Sequence, residues 1–253
     1  MSDAQIYFSS AFITGFSALV LCVVVALRAR HRVIARHFAG YTLSVGIWGL
    51  FVGFATFLNN ESLSYLFSLI CHMAGIFIPV TFLNFVQVYT DNRSRVIRQV
   101  IRGGYVAMGL LVLQILLVPK LFIASVTPKL GFYYFPNPGP TYHLWVVFFA
   151  SFVFLAHAIL FAEALKLRGT QRQKILAFFF ANVIGYLGGT GAFLPVYSLP
   201  LFPFPYGNWG VFFFTVITAY AVLRLKLIDF ESEIKKTLVF AGLFSFIFAV
   251  FAG

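Results

Sequence analysis

The chain has 253 residues, of which 61% are hydrophobic and only 10% charged, and its net charge is +11. A soluble domain of that composition would lack the polar surface to cover its core, so a membrane protein is expected. The basic excess lies in short gaps between long apolar runs, where span topology and anionic headgroups account for it and a nucleic-acid partner is not expected.

Residues 1–5 carry Asp3 and no basic residue, so the first apolar run lacks the positive leader of a cleaved signal peptide and is read as a span. Crossing about 30 Å of hydrocarbon takes about 20 apolar residues. Runs that meet this lie at 6–27, 38–58, 65–89, 104–123, 144–165, 175–196 and 209–225. Uninterrupted runs of this length lack the alternation of a membrane β-strand and predict helices. An eighth run begins at Leu238 and is still apolar at Gly253, which reads most simply as a fragment of a longer protein cut inside a further span.

Sixteen of the 18 Lys and Arg residues fall in alternate gaps: Arg28, Arg30, Arg32 and Arg36, then Arg93, Arg95, Arg98 and Arg102, then Lys166, Arg168, Arg172 and Lys174, and last Arg224, Lys226, Lys235 and Lys236. Lys120 and Lys129 lie on the other side. The positive-inside bias makes the basic gaps cytoplasmic. The expected fold is therefore an all-α, polytopic membrane helical bundle, with seven transmembrane helices running N-out/C-in plus the start of an eighth. Residues 1–230 would form the membrane domain and 231–253 a cytoplasmic linker leading into the further span. The outer segments 131–142 and 198–208 are aromatic and proline-rich, suiting either a headgroup-level aromatic belt or a stiff lid over an outward-facing cavity.

Metal, nucleophile and phosphate-loop patterns are missing, so no metal site, cofactor or catalytic residue is expected. Cys22 and Cys71 fall at different depths and are expected to stay unpaired. Pumps and ion-coupled carriers need ionisable groups inside the membrane, and Glu163 sits in the last turn of its span beside Lys166. Uncharged polar residues inside the spans should face inward and find partners. Six of them are candidates for ligand contact: Trp48, His72, Asn84, Trp145, His157 and Tyr186. Gly49 and Gly53, and Gly185 and Gly189, stand in the four-residue spacing of close helix packing.

Four stretches carry a family resemblance: Pro138-Gly-Pro-Thr-Tyr142, Gly188-Gly-Thr-Gly-Ala-Phe-Leu-Pro-Val-Tyr197, residues 203–208, and Ala219-Tyr-Ala-Val-Leu-Arg-Leu-Lys-Leu-Ile-Asp-Phe230. In order and spacing these resemble the N-terminal seven-transmembrane sensor region of bacterial membrane histidine kinases. Weaker likeness extends back to residues 72–90. This chain departs from the family in the richer Pro200, Pro203 and Pro205. The resemblance implies a full-length histidine kinase of a two-component system in the bacterial inner membrane, acting as a homodimer. The chain would be its sensory input domain, reading a small apolar or amphipathic ligand or a membrane state. Helix seven would carry the signal through Arg224, Lys226 and Asp229. A carrier for an uncharged solute and a purely structural anchor are the competing readings, the carrier weakened by the lack of clear internal repeats.

Overall fold

The computed structural model describes residues 2–28, 33–199, 201–202 and 204–223. Helices α1 (Asp3–Arg28), α2 (Val33–Phe57), α3 (Glu61–Tyr89) and α4 (Arg95–Leu117) come first. A two-stranded hairpin follows, β1 (Ile123–Lys129) and β2 (Phe132–Pro138). The described chain ends with α5 (Pro140–Lys166), α6 (Gly169–Phe193) and α7 (Gly207–Leu223). Helices α1 to α6 are long and apolar enough to cross a bilayer. α7 is apolar too but, at 17 residues, shorter over its described length. The protein is thus a helical membrane bundle. Arg224, Lys226, Asp229 and the apolar run from 238 lie outside the described residues.

Local chemistry sets the helix ends. Asn60 caps α3, its side chain accepting from the Leu63 amide at 3.0 Å, with Glu61 in the first turn where the helix dipole favours an acid. Ser94 caps α4 through the Ile97 amide. Pro140 opens α5 at a position where its missing N–H removes no helical bond. The fourth span was expected to run to Ile123, but α4 ends at Leu117 because Pro119 cannot continue the helix. Lys120 therefore stands beyond the helix, and Ile123 opens a strand.

That hairpin is the main departure from the expected loop. β1 and β2 pair antiparallel with Lys129 opposite Phe132, leaving Leu130 and Gly131 as a two-residue turn. Both turn residues have positive φ, 54° and 81°, the pattern of a type I′ turn whose twist suits a hairpin. Phe132 and Phe135 point from the hairpin into the bundle, with ring centroids 5.2 and 6.3 Å from Tyr7. Lys129 ties the hairpin to the end of α6: its Nζ donates to Val196 carbonyl at 2.9 Å and to Asn137 Oδ1 at 3.0 Å.

Hydrophobicity does not draw one helix to another inside lipid, so van der Waals contact and small residues must do it. α1 and α2 meet through Gly15 and Gly49, where a Cβ on Gly49 would lie 2.8 Å from the Gly15 Cα. α6 and α7 meet the same way at Gly188 and Gly210, again 2.8 Å from a notional Cβ to the opposing Cα. Of the glycines in α6, Gly185 and Gly188 press closely on α7, whereas a Cβ on Gly189 would make only an ordinary contact, 3.8 Å from the Val211 side chain. The expected Gly185 and Gly189 pairing is therefore shifted by one residue. Cys22 and Cys71 are free thiols.

Buried apolar residues form two clusters. One holds Phe38, Phe82, Phe85, Phe178 and Phe214. The other lies under the hairpin and holds Tyr7, Phe122, Phe132, Phe135, Tyr142 and Trp145.

Candidate ligand-binding cavity

Beside the two clusters the bundle holds an open-sided cavity of about 470 Å³, within the range of about 300–1,000 Å³ usual for small-molecule sites. Tyr41, Val45 and Trp48 of α2 and Gly75 and Ile78 of α3 form its back wall. α5 contributes a stripe from Trp145 to His157, and α6 a stripe from Asn182 to Phe193. Val211 and Phe214 close it on the α7 side. Among the described residues lining it, none is charged.

Periodicity explains why these helices present a hollow. On α5, Trp145, Phe149, Val153 and His157 recur at helical spacing along the slot, but the packing partners differ in size. Large rings stand beside small residues along the slot: Ala150 of α5 and Gly189 of α6 line it and put little bulk into it. Pro79 adds a polar feature. It has no N–H to give to the carbonyl one turn back, so the Gly75 carbonyl at the cavity wall loses its usual helical donor.

Several polar groups gather where α2, α5 and α6 meet. Tyr41 hydroxyl donates to Asn182 Oδ1 at 2.8 Å, and the Tyr41 and Tyr186 hydroxyl oxygens are 3.3 Å apart. Asn182 in turn donates to the Phe178 carbonyl at 2.8 Å. His157 Nδ1 lies 2.8 Å from the Val153 carbonyl. A carbonyl can only accept, so in the neutral ring Nδ1 carries the proton and Nε2 is a bare acceptor. That Nε2 is buried with no hydrogen-bond partner, and so is the indole N–H of Trp145. The His157 ring is held between Phe82, Phe179 and Tyr186, with centroids 5.3 to 5.5 Å away.

The six candidate residues separate on this geometry. Trp48, Trp145, His157 and Tyr186 line the cavity together. His72 lies beside it in a chamber of about 20 Å³ under the hairpin, bounded by Ser68, Cys71, Phe135 and Pro136 and sharing Trp48 and Trp145 with the larger space. A chamber of that size holds about one water. His72 Nδ1 is 2.7 Å from the Ser68 carbonyl, and its ring is ringed by Phe122, Tyr142 and Trp145. Asn84 is elsewhere. It donates to the Tyr105 hydroxyl at 2.7 Å on the exposed α3–α4 face, pinning two helices. Tyr41, Asn182 and Gly75 belong to the cavity and stood outside the six. Asn182 is legible as a polar residue within a span, and Gly75 lies one turn before Pro79, but nothing near Tyr41 in the chain sets it apart from eleven other tyrosines.

Charge reinforces the contrast between the two ends of the bundle. Arg36, Arg93, Arg95, Arg98, Arg102, Lys166, Arg168, Arg172 and Lys174 fall at the α2–α4–α6 start, away from the hairpin. At that end Arg93 pairs with Asp91 at 3.1 Å, and Lys166 with Glu163 at 3.0 Å. Both pairs are solvent-exposed on at least one side and add little to stability.

Set against known families, residues 10–230 match the one described as the N-terminal 7TM region of histidine kinase. The chain belongs to that family. It is thus the membrane-embedded sensory region of a histidine kinase, and the cavity lies within the matched stretch. Among curated proteins none matches the chain.

Proposed function

We infer that this 7TM region detects a small apolar or amphipathic molecule in the cavity and passes the result through α7 to a cytoplasmic kinase output. One observation carries the reading: an uncharged cavity large enough for a small molecule, walled by the four candidate residues Trp48, Trp145, His157 and Tyr186. Ligand occupancy shifts the output only by binding one helix arrangement better than another. α6 and α7 are the natural moving pair, because Asn182, Tyr186 and Phe214 reach the cavity from both.

Seven spans with the N-terminus outside and the basic ends in the cytoplasm fit the charge distribution, with α7 completing its crossing beyond Leu223. The cell compartment is the bacterial inner membrane, and the signalling unit is a dimer of the full-length kinase. On this scheme residues 1–230 are the sensor, and Arg224, Lys226 and Asp229 stand where helix seven leaves the membrane.

Gly189→Leu tests the reading, since its new side chain projects into the cavity without meeting the α7 backbone. In the full-length kinase reconstituted in phospholipid nanodiscs, autophosphorylation of the wild type should change on addition of 1-dodecanol. The Gly189→Leu form should give one fixed level with and without it. Equal responses in the two proteins would sink the cavity as the sensing site.

A further inference from the structure

Three arginines on α4 carry charge that no protein group answers. Arg95, Arg98 and Arg102 are exposed, and among the described residues none of them pairs with an acid. Arg98 donates only to the Arg93 carbonyl, at 3.2 Å, and Arg93 itself is taken by Asp91. The first turn of α4 holds no acid either, although the start of a helix favours negative charge.

Depth makes one of the three conspicuous. From Arg102 to the end of α4 at Leu117 is about 22 Å at 1.5 Å per residue, short of the about 30 Å of hydrocarbon that a crossing helix must span. Arg102 therefore stands on the lipid-facing surface inside the inner edge of the hydrocarbon. An ion there needs a counter-charge, and helical side chains lean towards the N-terminus, which carries the Arg102 guanidinium back towards Arg98 and Arg95.

The same stripe continues up the helix with different chemistry. Positions 95, 98, 102 and 105 fall within about a quarter turn of one another, followed by 109, 113 and 116 on the same face. Tyr105 accepts from Asn84 at 2.7 Å and makes no other hydrogen bond among the described residues, so its own hydroxyl proton is free to donate. A Cβ on Gly109 would meet nothing within 4 Å, leaving a gap between exposed Tyr105 and Leu113. Read from the basic end inwards, the face offers cations, then a hydrogen-bond donor, then an apolar gap.

We propose that this stripe is a binding site for an anionic diacyl phospholipid. Its phosphate lies among Arg95, Arg98 and Arg102, an ester carbonyl accepts the Tyr105 proton, and one acyl chain runs over Gly109 along Leu113. The site shares no residue with the lining of the cavity and does not depend on what the cavity binds. Because Asn84 and Tyr105 tie α3 to α4, the lipid would bind where those two helices are pinned.

The test is native mass spectrometry of the 253-residue chain in detergent, titrated with dioleoyl phosphatidylglycerol or dioleoyl phosphatidylcholine. In the wild type the first phosphatidylglycerol should bind about tenfold or more tightly than phosphatidylcholine, a comparison that needs no variant. Arg98→Gln with Arg102→Gln should abolish most of that preference. Arg168→Gln with Arg172→Gln removes the same charge from the start of α6 and should change it by less than about twofold. Tyr105→Phe should weaken phosphatidylglycerol by about two- to fivefold, the worth of one hydrogen bond. Inorganic phosphate and glycerol phosphate in large excess should not displace the lipid, since they lack the chains. Size-exclusion profiles identify any variant that fails to fold.

Equal affinity for the two lipids in the wild type would overturn the proposal. Equal losses from the two double variants would overturn it too, since bulk charge and not the α4 stripe would then be responsible. Displacement by inorganic phosphate would make the arginines a free-anion site and remove the lipid.

Discussion

Between α1 and α2 a glycine faces a glycine and the backbones touch, whereas between α5 and α6 side chains of many sizes leave a slot. The burial figures follow the same division: twelve of the 25 residues of α2 are buried, but only five of the 27 in α5. Both regions are apolar throughout, so hydrophobicity cannot account for the difference. Residue size at the contact face does. Where Gly15, Gly46 and Gly49 line up, the helices close to backbone distance; where the rings of Trp145 and Phe193 stand between α5 and α6, Gly189 lines the slot rather than a helix seam. A bundle built this way has one closely packed half and one looser half.

The sharpest way to break the comparison is to put the same side chain on each side. Gly49→Leu drives a side chain into the α1 backbone and should cost about 3 kcal/mol or more, an overpacking penalty at a backbone contact. Gly189→Leu starts from an uncrowded Cβ position at the cavity wall and should change stability by less than about 1 kcal/mol, since leucine also favours the helix over glycine. Detergent unfolding followed by circular dichroism compares the two directly. Similar losses for both would mean that the α5–α6 side is as tightly packed as the other.

The hairpin bridges the two regions, and its turn gives a smaller effect. Leu130 holds a positive φ that an L-residue with a branched side chain disfavours. Leu130→Gly should therefore stabilise the protein by up to about 1 kcal/mol, read as a higher unfolding midpoint. A lower midpoint would mean that the Leu130 side chain matters more as packing for the cluster under the hairpin.

The smallest predicted effect is electrostatic. Burial lowers the Lys129 ammonium from its usual range to about 8. The folded form thus binds its proton less tightly than the unfolded chain does, so stability should rise as pH moves from about 8 towards 10.5 and stay at its lower level below about 8. The gain should be only a few tenths of a kcal/mol, because the side chain is half-exposed and water screens it. The neutral amine still has two N–H groups, enough for both Val196 and Asn137. Stability that is flat in Lys129→Met across this range, but sloped in the wild type, would assign the effect to this residue.

Much of the bundle could be read from the chain. Length and apolarity locate the helices to within a few residues at most ends, because in lipid the backbone has no alternative to internal hydrogen bonding. The hairpin could not be read so easily. Residues 123–138 mix Val, Ile and Thr with three prolines, and their turn uses Leu130 where Asn or Asp is the usual signal. Gly131 was the one clear clue. The cavity was half legible. Polar residues within spans had to turn inward, which singled out Trp145, His157 and Tyr186. Whether a given one meets a cavity, a neighbouring helix or a chamber for one water depends on contacts far apart in sequence. Asn84 and His72 differ from His157 in this respect and in nothing that their local sequence reveals.

The contact between Gly188 and Gly210 has a mechanical side. Most helix pairs are separated by a cushion of side chains that can change rotamer and so soak up a small sliding or twisting of one helix against the other. Here main chain rests on main chain, and there is no cushion to compress. The pair is a joint without play: what moves one partner at this point must move the other by the same amount, or else prise them apart.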